Sequence, residues 1–183
     1  MLLWIFAVIP IVIILVFFVY FNRFATLGNR IESSLSQIDV QLKRRADLIP
    51  NLIEIVKGYV KHEKSIIKEV TDARKALVGA EGLEDRIKAN NKLQSALKTI
   101  FAIAENYPNL KADTNFLELQ RELSDTEDKI QAARRFYNTN VRDLNIKIES
   151  FPANTIAGSF GFKQMELFQT ANEAEREPVG VKF

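Results

Sequence analysis

"LLWIFAVIPIVIILVFFVYFNRFATLGNRIESSLSQIDVQLKRRADLIP", residues 2–50, passes from grease to charge without changing its period. Residues 2–21 carry no charged side chain. At about 1.5 Å rise, twenty such residues span roughly 30 Å, the thickness of a hydrocarbon core. A cleaved signal peptide would need a cationic start, a shorter apolar run and a small-x-small cleavage site. The chain starts "MLLW" and leaves the run as "VYFNRFATL", so an uncleaved single-span anchor over residues 1–22 is the expectation. Leu2, Trp4, Pro10, Tyr20 and Phe21 mark this span. Trp4 and Tyr20 lie near its two ends, where amphipathic rings favour the interface. Pro10 is tolerable because lipid-embedded helices accommodate proline.

Beyond residue 22 the apolar spacing stays helical. Leu27, Ile31, Leu35, Ile38, Leu42 and Ile49 recur mostly every three or four residues, and only Gly28 interrupts the helix formers. The membrane helix is therefore expected to run on to about residue 47. Pro50 disfavours the α region for Ile49, so a second helix is expected over about 50–78, ended by "GAEG". A third is expected over about 83–106, stopped by "ENYPNL". A fourth starts after Asp113 or Thr114, both good N-cap types, and runs to about 150. No alternating, strand-like stretch occurs. The fold class is all-α: a single N-terminal transmembrane helix continuing into an elongated antiparallel four-helix bundle of coiled-coil-like packing over residues 23–168. Residues 169–183, "QTANEAEREPVGVKF", are expected to form a flexible C-terminus.

Charge narrows the function classes. The net charge is +2 with acids and bases interleaved, so no basic block follows a phosphate backbone and nucleic acid is not an expected partner. There is no cysteine, which excludes disulfides, thiol catalysis, cysteine-ligated zinc and a lipoprotein anchor. Cations after the span, Arg23 and Arg30 nearest, place the N-terminus outside and the bundle in the cytoplasm by the positive-inside rule.

Chemistry-bearing patterns are sparse. His62 is the single histidine and lies in "VKHEK", with no second ligand at helical spacing. No serine has a G-x-S-x-G context. Glu118 with Glu122 and Asp125 with Asp128 share helix faces and read as solvated pairs; a di-iron site would need E-x-x-H motifs from two helices. "QLKRR" at 41–45 reads as a solvated or salt-bridged face, the alternative being a lipid or partner patch. Gln37, Gln41, Asn51, Asn90 and Asn138 flank the apolar stripes, where polar groups either fix register or meet water at the stripe edge. No catalytic residue, metal ligand or cofactor site emerges, and the chain is not expected to be an enzyme.

Three long strings carry a family resemblance: "SQIDVQLKRRADLIPNLIEIVKGYVKHE" at 36–63, "IFAIAENYPNLKADTNFLELQRELSDTEDKI" at 100–130 and "ARRFYNTNVRDLNIKIESFPANTIAGSFGF" at 133–162. They closely resemble the LemA family, over nearly the whole chain. The resemblance implies a bacterial, inner-membrane-anchored protein with an up-and-down four-helix bundle, and supplies no catalytic residues to carry over. Leu144 stands where an aromatic is common in the family, a difference that touches packing alone.

The tail "FPANTIAGSFGFKQMELF", 151–168, concentrates large apolar groups after the last long helix. Phe151, Pro152, Ile156, Phe160, Phe162, Met165, Leu167 and Phe168 form the candidate interface. Three fates compete: the tail folds back over its own bundle, docks on a neighbouring copy or another protein, or dips into the membrane surface. The expected function is a non-enzymatic, membrane-anchored scaffold that self-associates into a homo-oligomer. The alternative is a monomeric adaptor that presents its bundle to a membrane enzyme or signalling protein. The expected partners are thus the lipid bilayer, further copies and a membrane protein.

Overall fold

A computed structural model describes the backbone of residues 2–60 and 63–168, with side chains from residue 8 onward. His62, the C-terminal segment 169–183 and the side chains of Leu2 and Trp4 lie outside the described residues. Among those described, every regular element is helical: α1 (Leu2–Tyr59), α2 (Lys64–Val78), α3 (Leu83–Ala104), α4 (Pro108–Lys111), α5 (Thr114–Glu149) and α6 (Ala153–Phe160).

The expected break at Ile49–Pro50, and with it a second helix from residue 50, is not where the chain turns. α1 continues through Pro50 to Tyr59, and α2 begins at Lys64. Proline lacks the N–H that would reach the carbonyl four residues back, so the Ala46 carbonyl loses its helical partner. Arg74 of α2 supplies the missing donor: its Nε donates to that oxygen at 2.8 Å. Pro50 itself faces solvent, while Ile49 and Leu52 beside it are fully buried. The tertiary contact satisfies the backbone group, and burial of the neighbouring residues outweighs the local preference to break.

The chain packs as two compact units. One holds Ile38–Gln131 and brings together the second part of α1, all of α2, α3 and α4, and the start of α5. The helices alternate in direction. Arg74 of α2 meets Ala46, and Arg86 at the start of α3 pairs with Asp39. Tyr59 meets Asp113, whereas Arg45 meets Glu127, so α1 and α5 are antiparallel with two contacts two heptads apart on each. Ile49, Leu52, Val70, Leu93, Leu97, Ile100, Leu123 and Ile130 fill the interior. Each such side chain contributes on the order of 1.5–3 kcal/mol by leaving water. Asp113 caps α5 as its residue type predicts, accepting the N–H of Asn115 at 2.9 Å and of Phe116 at 3.0 Å.

The other unit holds α1 through Gln37 with Ala132–Phe168. Phe24, Leu27, Ile31 and Ser34 of α1 and Ala133, Tyr137, Val141 and Leu144 of α5 form its interior. Between Val8 and Val19, α1 instead exposes nearly every large apolar side chain. The helix from Val8 onward holds an 18-residue window of mean hydropathy 2.3, long and apolar enough to cross a membrane.

Candidate functional site

The unit of α1 through Gln37 with Ala132–Phe168 owes its character to the tail. After α5 the chain turns, forms α6, and returns as an extended strap along α5. α6 presents Ala153, Ile156 and Ala157 inward at the i, i+3, i+4 spacing of a helix face. It ends at Gly161, whose φ of 72° is left-handed, with the Phe162 N–H closing on the Ala157 carbonyl at 3.1 Å. That is a Schellman stop, and it explains the glycine in "GSFGF".

Two asparagines pin the strap. The Asn145 carboxamide donates to the Met165 carbonyl at 2.9 Å and accepts the Met165 N–H at 3.0 Å. Asn138 does the same for Phe168, at 3.0 and 2.8 Å. The spacing is a physical match. One heptad of helix rises about 10.5 Å, and three residues of extended chain cover about 10 Å. A carboxamide carries one donor face and one acceptor face, so each asparagine serves the strap as a neighbouring strand would. Between the clamps, the Tyr137 hydroxyl donates to the Glu166 carbonyl at 3.1 Å. Burial and the nearby Glu166 push that phenol above its ordinary value. Phe168 is buried edge-on against Tyr137, with the Arg134 guanidinium 5.6 Å over its ring.

An aromatic cluster joins the tail to α1. Phe162 stacks on the fully buried Phe24 at 4.9 Å. Phe160 lies 5.3 Å from Phe17 and 5.2 Å from Phe21, both within the charge-free stretch. The eight tail residues singled out by composition thus divide. Ile156 and Phe168 are buried by the chain itself, and Pro152 and Phe162 are half-buried. Phe151 is 85% exposed and Phe160 50%, with Met165 and Leu167 also exposed. Fold-back over the chain's own helices accounts for four of them and leaves four uncovered.

The Ile38–Gln131 unit holds a buried polar cluster that carries little signal in the sequence. Arg45, read as part of a surface face at 41–45, is 3% exposed. Its Nη1 donates to Asn90 Oδ1 at 3.0 Å and pairs with the Glu127 carboxylate, which also accepts Gln131 Nε2 at 2.7 Å. Burial pulls the Arg45 guanidinium below its ordinary value, and Glu127 opposes the shift. The one signal is spacing: Arg45 sits three residues after Leu42 and four before Ile49, on the stripe itself. Among the flanking polar residues, Asn90 and Asn138 are structural partners, whereas Gln37 and Asn51 face solvent. Of the rest of 41–45, Leu42 is buried and Gln41 half-buried, while Lys43 and Arg44 are exposed, with Arg44 3.8 Å from Glu122.

Chemistry is sparse here too. Asp125 pairs with Lys129 at 2.6 Å. Among the described residues, no group of three His, Cys, Asp or Glu side chains is placed to hold a metal. An open groove of about 350 Å³ is lined by Asp39, Lys43, Asp47, Arg74 and Arg86 with apolar Leu42 and Leu77; Arg86 pairs with Asp39 across it, and Arg74 donates to the Ala46 carbonyl.

Comparison with known proteins gives these features a context. The sequence pattern that defines the LemA family matches residues 34–183. The chain is similar to magnetosome protein MamQ 2 of Paramagnetospirillum magneticum, 26% identical over 175 residues, covering 81% of this chain and 64% of that protein. Magnetosome protein MamQ of Magnetospirillum gryphiswaldense is 25% identical over 174 residues, with the same coverage. Protein LemA of Metamycoplasma hominis is 29% identical over 167 residues, covering 89% of this chain and 76% of that protein. The chain therefore spans a little under two thirds of the length of the MamQ relatives it matches.

Proposed function

Because this chain belongs to the LemA family, we propose that it is a non-enzymatic, membrane-anchored helical scaffold that self-associates. It sits in the bacterial inner membrane with its N-terminus outside and its bundle in the cytoplasm. The observation that carries this reading is the continuity of α1. The helix that exposes Val8–Val19 buries Phe24, Leu27 and Ile31 within the next few turns, with no linker between. A span joined so directly to a core holds packed helices at a set height above lipid, which suits a platform better than a tethered enzyme.

Self-association is supported by apolar groups that neither the core nor the span accounts for. Phe136 on α5 and Leu167 on the strap are exposed and adjoin Tyr137 and Phe168, well along α5 from the aromatic cluster at Phe21. Exposed aromatic and aliphatic groups of this kind mark contact surfaces. The mass of the full-length protein in detergent tests the proposal. An oligomer that dissociates on Phe136→Ser with Leu167→Ser supports it, and a monomer at all concentrations overturns it. Crosslinking in cells that captures a different protein rather than a second copy would favour the adaptor reading. Protease accessibility of a C-terminal tag in intact cells checks the orientation.

A further inference from the structure

We propose that the turn from Ser150 to Phe162 is a second membrane contact, a wedge that enters the lipid beside α1 with Phe151 and Phe160 as its apolar points. The inference rests on the reading of residues 2–21 as a span and extends it to a segment some 130 residues away in sequence.

Depth carries the case. The charge-free run of α1 is about as long as the hydrocarbon core is thick, which ties its end, just before Arg23, to the membrane boundary. Phe21 is two residues inside Arg23 and Phe17 six, or about 3 and 9 Å along the helix. The Phe160 ring touches both, at 5.2 and 5.3 Å. Phe160 therefore stands several ångströms below the boundary, within the roughly 5–10 Å that interfacial apolar groups penetrate. A side chain held against a lipid-facing helix at that depth meets lipid on its open side, and half of Phe160 is open.

The composition around it agrees. "SFPANTIAGSFGF", residues 150–162, has no charged side chain, in a region of the chain otherwise dense with them. Its exposed polar groups, Ser150, Asn154, Thr155 and Ser159, are neutral and close hydrogen bonds within their own turn or to the carbonyl one turn back. The charge resumes at Lys163, directly after Phe162, whose ring stacks on Phe24 one residue beyond Arg23. Lys163 and Arg23 are both exposed and thus reach the same headgroup level, where anionic lipid favours them. The strap then leaves the boundary along α5, clamped by Asn145 and Asn138. A second copy of the chain is a less fitting cover for Phe160, because at this depth lipid is already the surrounding medium.

The chain has no native cysteine, so single probes can be placed cleanly. Phe151→Cys and Ser159→Cys, each exposed, would carry a polarity-sensitive fluorophore in full-length protein reconstituted into phosphatidylethanolamine–phosphatidylglycerol vesicles doped with spin-labelled lipid. Thr139→Cys, exposed on α5 near the distal clamp, is the aqueous reference, and Val12→Cys the lipid reference. The expected result is blue-shifted emission and several-fold stronger lipid quenching at 151 and 159 than at 139. Emission and aqueous-iodide quenching at 151 and 159 equal to those at 139 would overturn the wedge while leaving the span intact. Blue-shifted emission without lipid quenching, growing with protein density in the vesicle, would assign the cover to another copy and also overturn it. Failure of lipid quenching at Val12→Cys would remove the span reading itself.

Discussion

Arg45→Met is the substitution whose outcome is best bounded by the structure. Arg45 is 3% exposed, and its two side-chain partners come from other helices, Asn90 from α3 and Glu127 from α5. Methionine preserves most of the apolar stem but removes every donor. Asn90 Oδ1, on a residue itself 3% exposed, then has no partner, and the Glu127 carboxylate keeps only Gln131 and the solvent at its 16% exposed side chain. Breaking a buried ion pair from one side costs about 3–5 kcal/mol. The partial exposure of Glu127 places this case at the low end, about 3 kcal/mol. For a chain of this size that corresponds to a drop of roughly 6–12 °C in melting temperature. The double substitution Arg45→Met with Glu127→Leu removes both charges, and leaves Asn90 Oδ1 and the half-buried Gln131 carboxamide short of a partner. It should fall within about 1.5 kcal/mol of the parent, far from the sum of the single effects. Thermal unfolding of the full-length protein in detergent micelles, followed by far-ultraviolet circular dichroism, reads all four corners of the cycle. A single mutant within about 0.5 kcal/mol of the parent would refute the reasoning. So would a double mutant that simply adds the two losses.

Other outcomes follow from the same geometry. Arg74→Met should destabilise by about 1–3 kcal/mol, because the Ala46 carbonyl loses the donor that replaces Pro50's missing N–H; in a Pro50→Ala background, which restores that N–H, unfolding measurements should show the loss shrink. Asn138→Ala removes both hydrogen bonds to Phe168, and amide exchange at residues 165–168 should accelerate roughly tenfold or more while α5 itself is little changed. Asp113 is held below its ordinary value of 3.8 by the Phe116 amide, then by the Tyr59 hydroxyl and the Asn115 amide. A lowered folded-state value means that the cap's contribution is complete above pH 3.8 and is lost as pH falls through the lower folded value. Melting temperature measured against pH should therefore fall less steeply on the acid limb in Asp113→Asn than in the parent, and equal slopes would exclude the cap as a source.

Much of the architecture was legible because helical periodicity is local. The uninterrupted grease of residues 2–21, the stripes after it, the Asp113 cap and the stops at "GAEG" and "ENYPNL" are each decided by a few neighbouring residues, and α3 and α5 begin and end close to where those signals place them. The tail was legible as a surplus of apolar side chains, and Asn138 as a polar group beside a stripe, but nothing local linked the two. Asn145, the second clamp, carries no local signal, since its partner is a backbone twenty residues further on.

What the sequence determined by itself, then, was the class of fold, the apolar span and the presence of unspent hydrophobic groups at 151–168. Tertiary structure alone decided three things: that α1 passes through Pro50, that Arg45 is buried, and which tail residues the chain covers. The reason is the same in each case. A proline's missing hydrogen bond, a buried charge and an exposed phenylalanine all take their energies from atoms far along the chain, and those partners arrive only when separate helices are packed side by side.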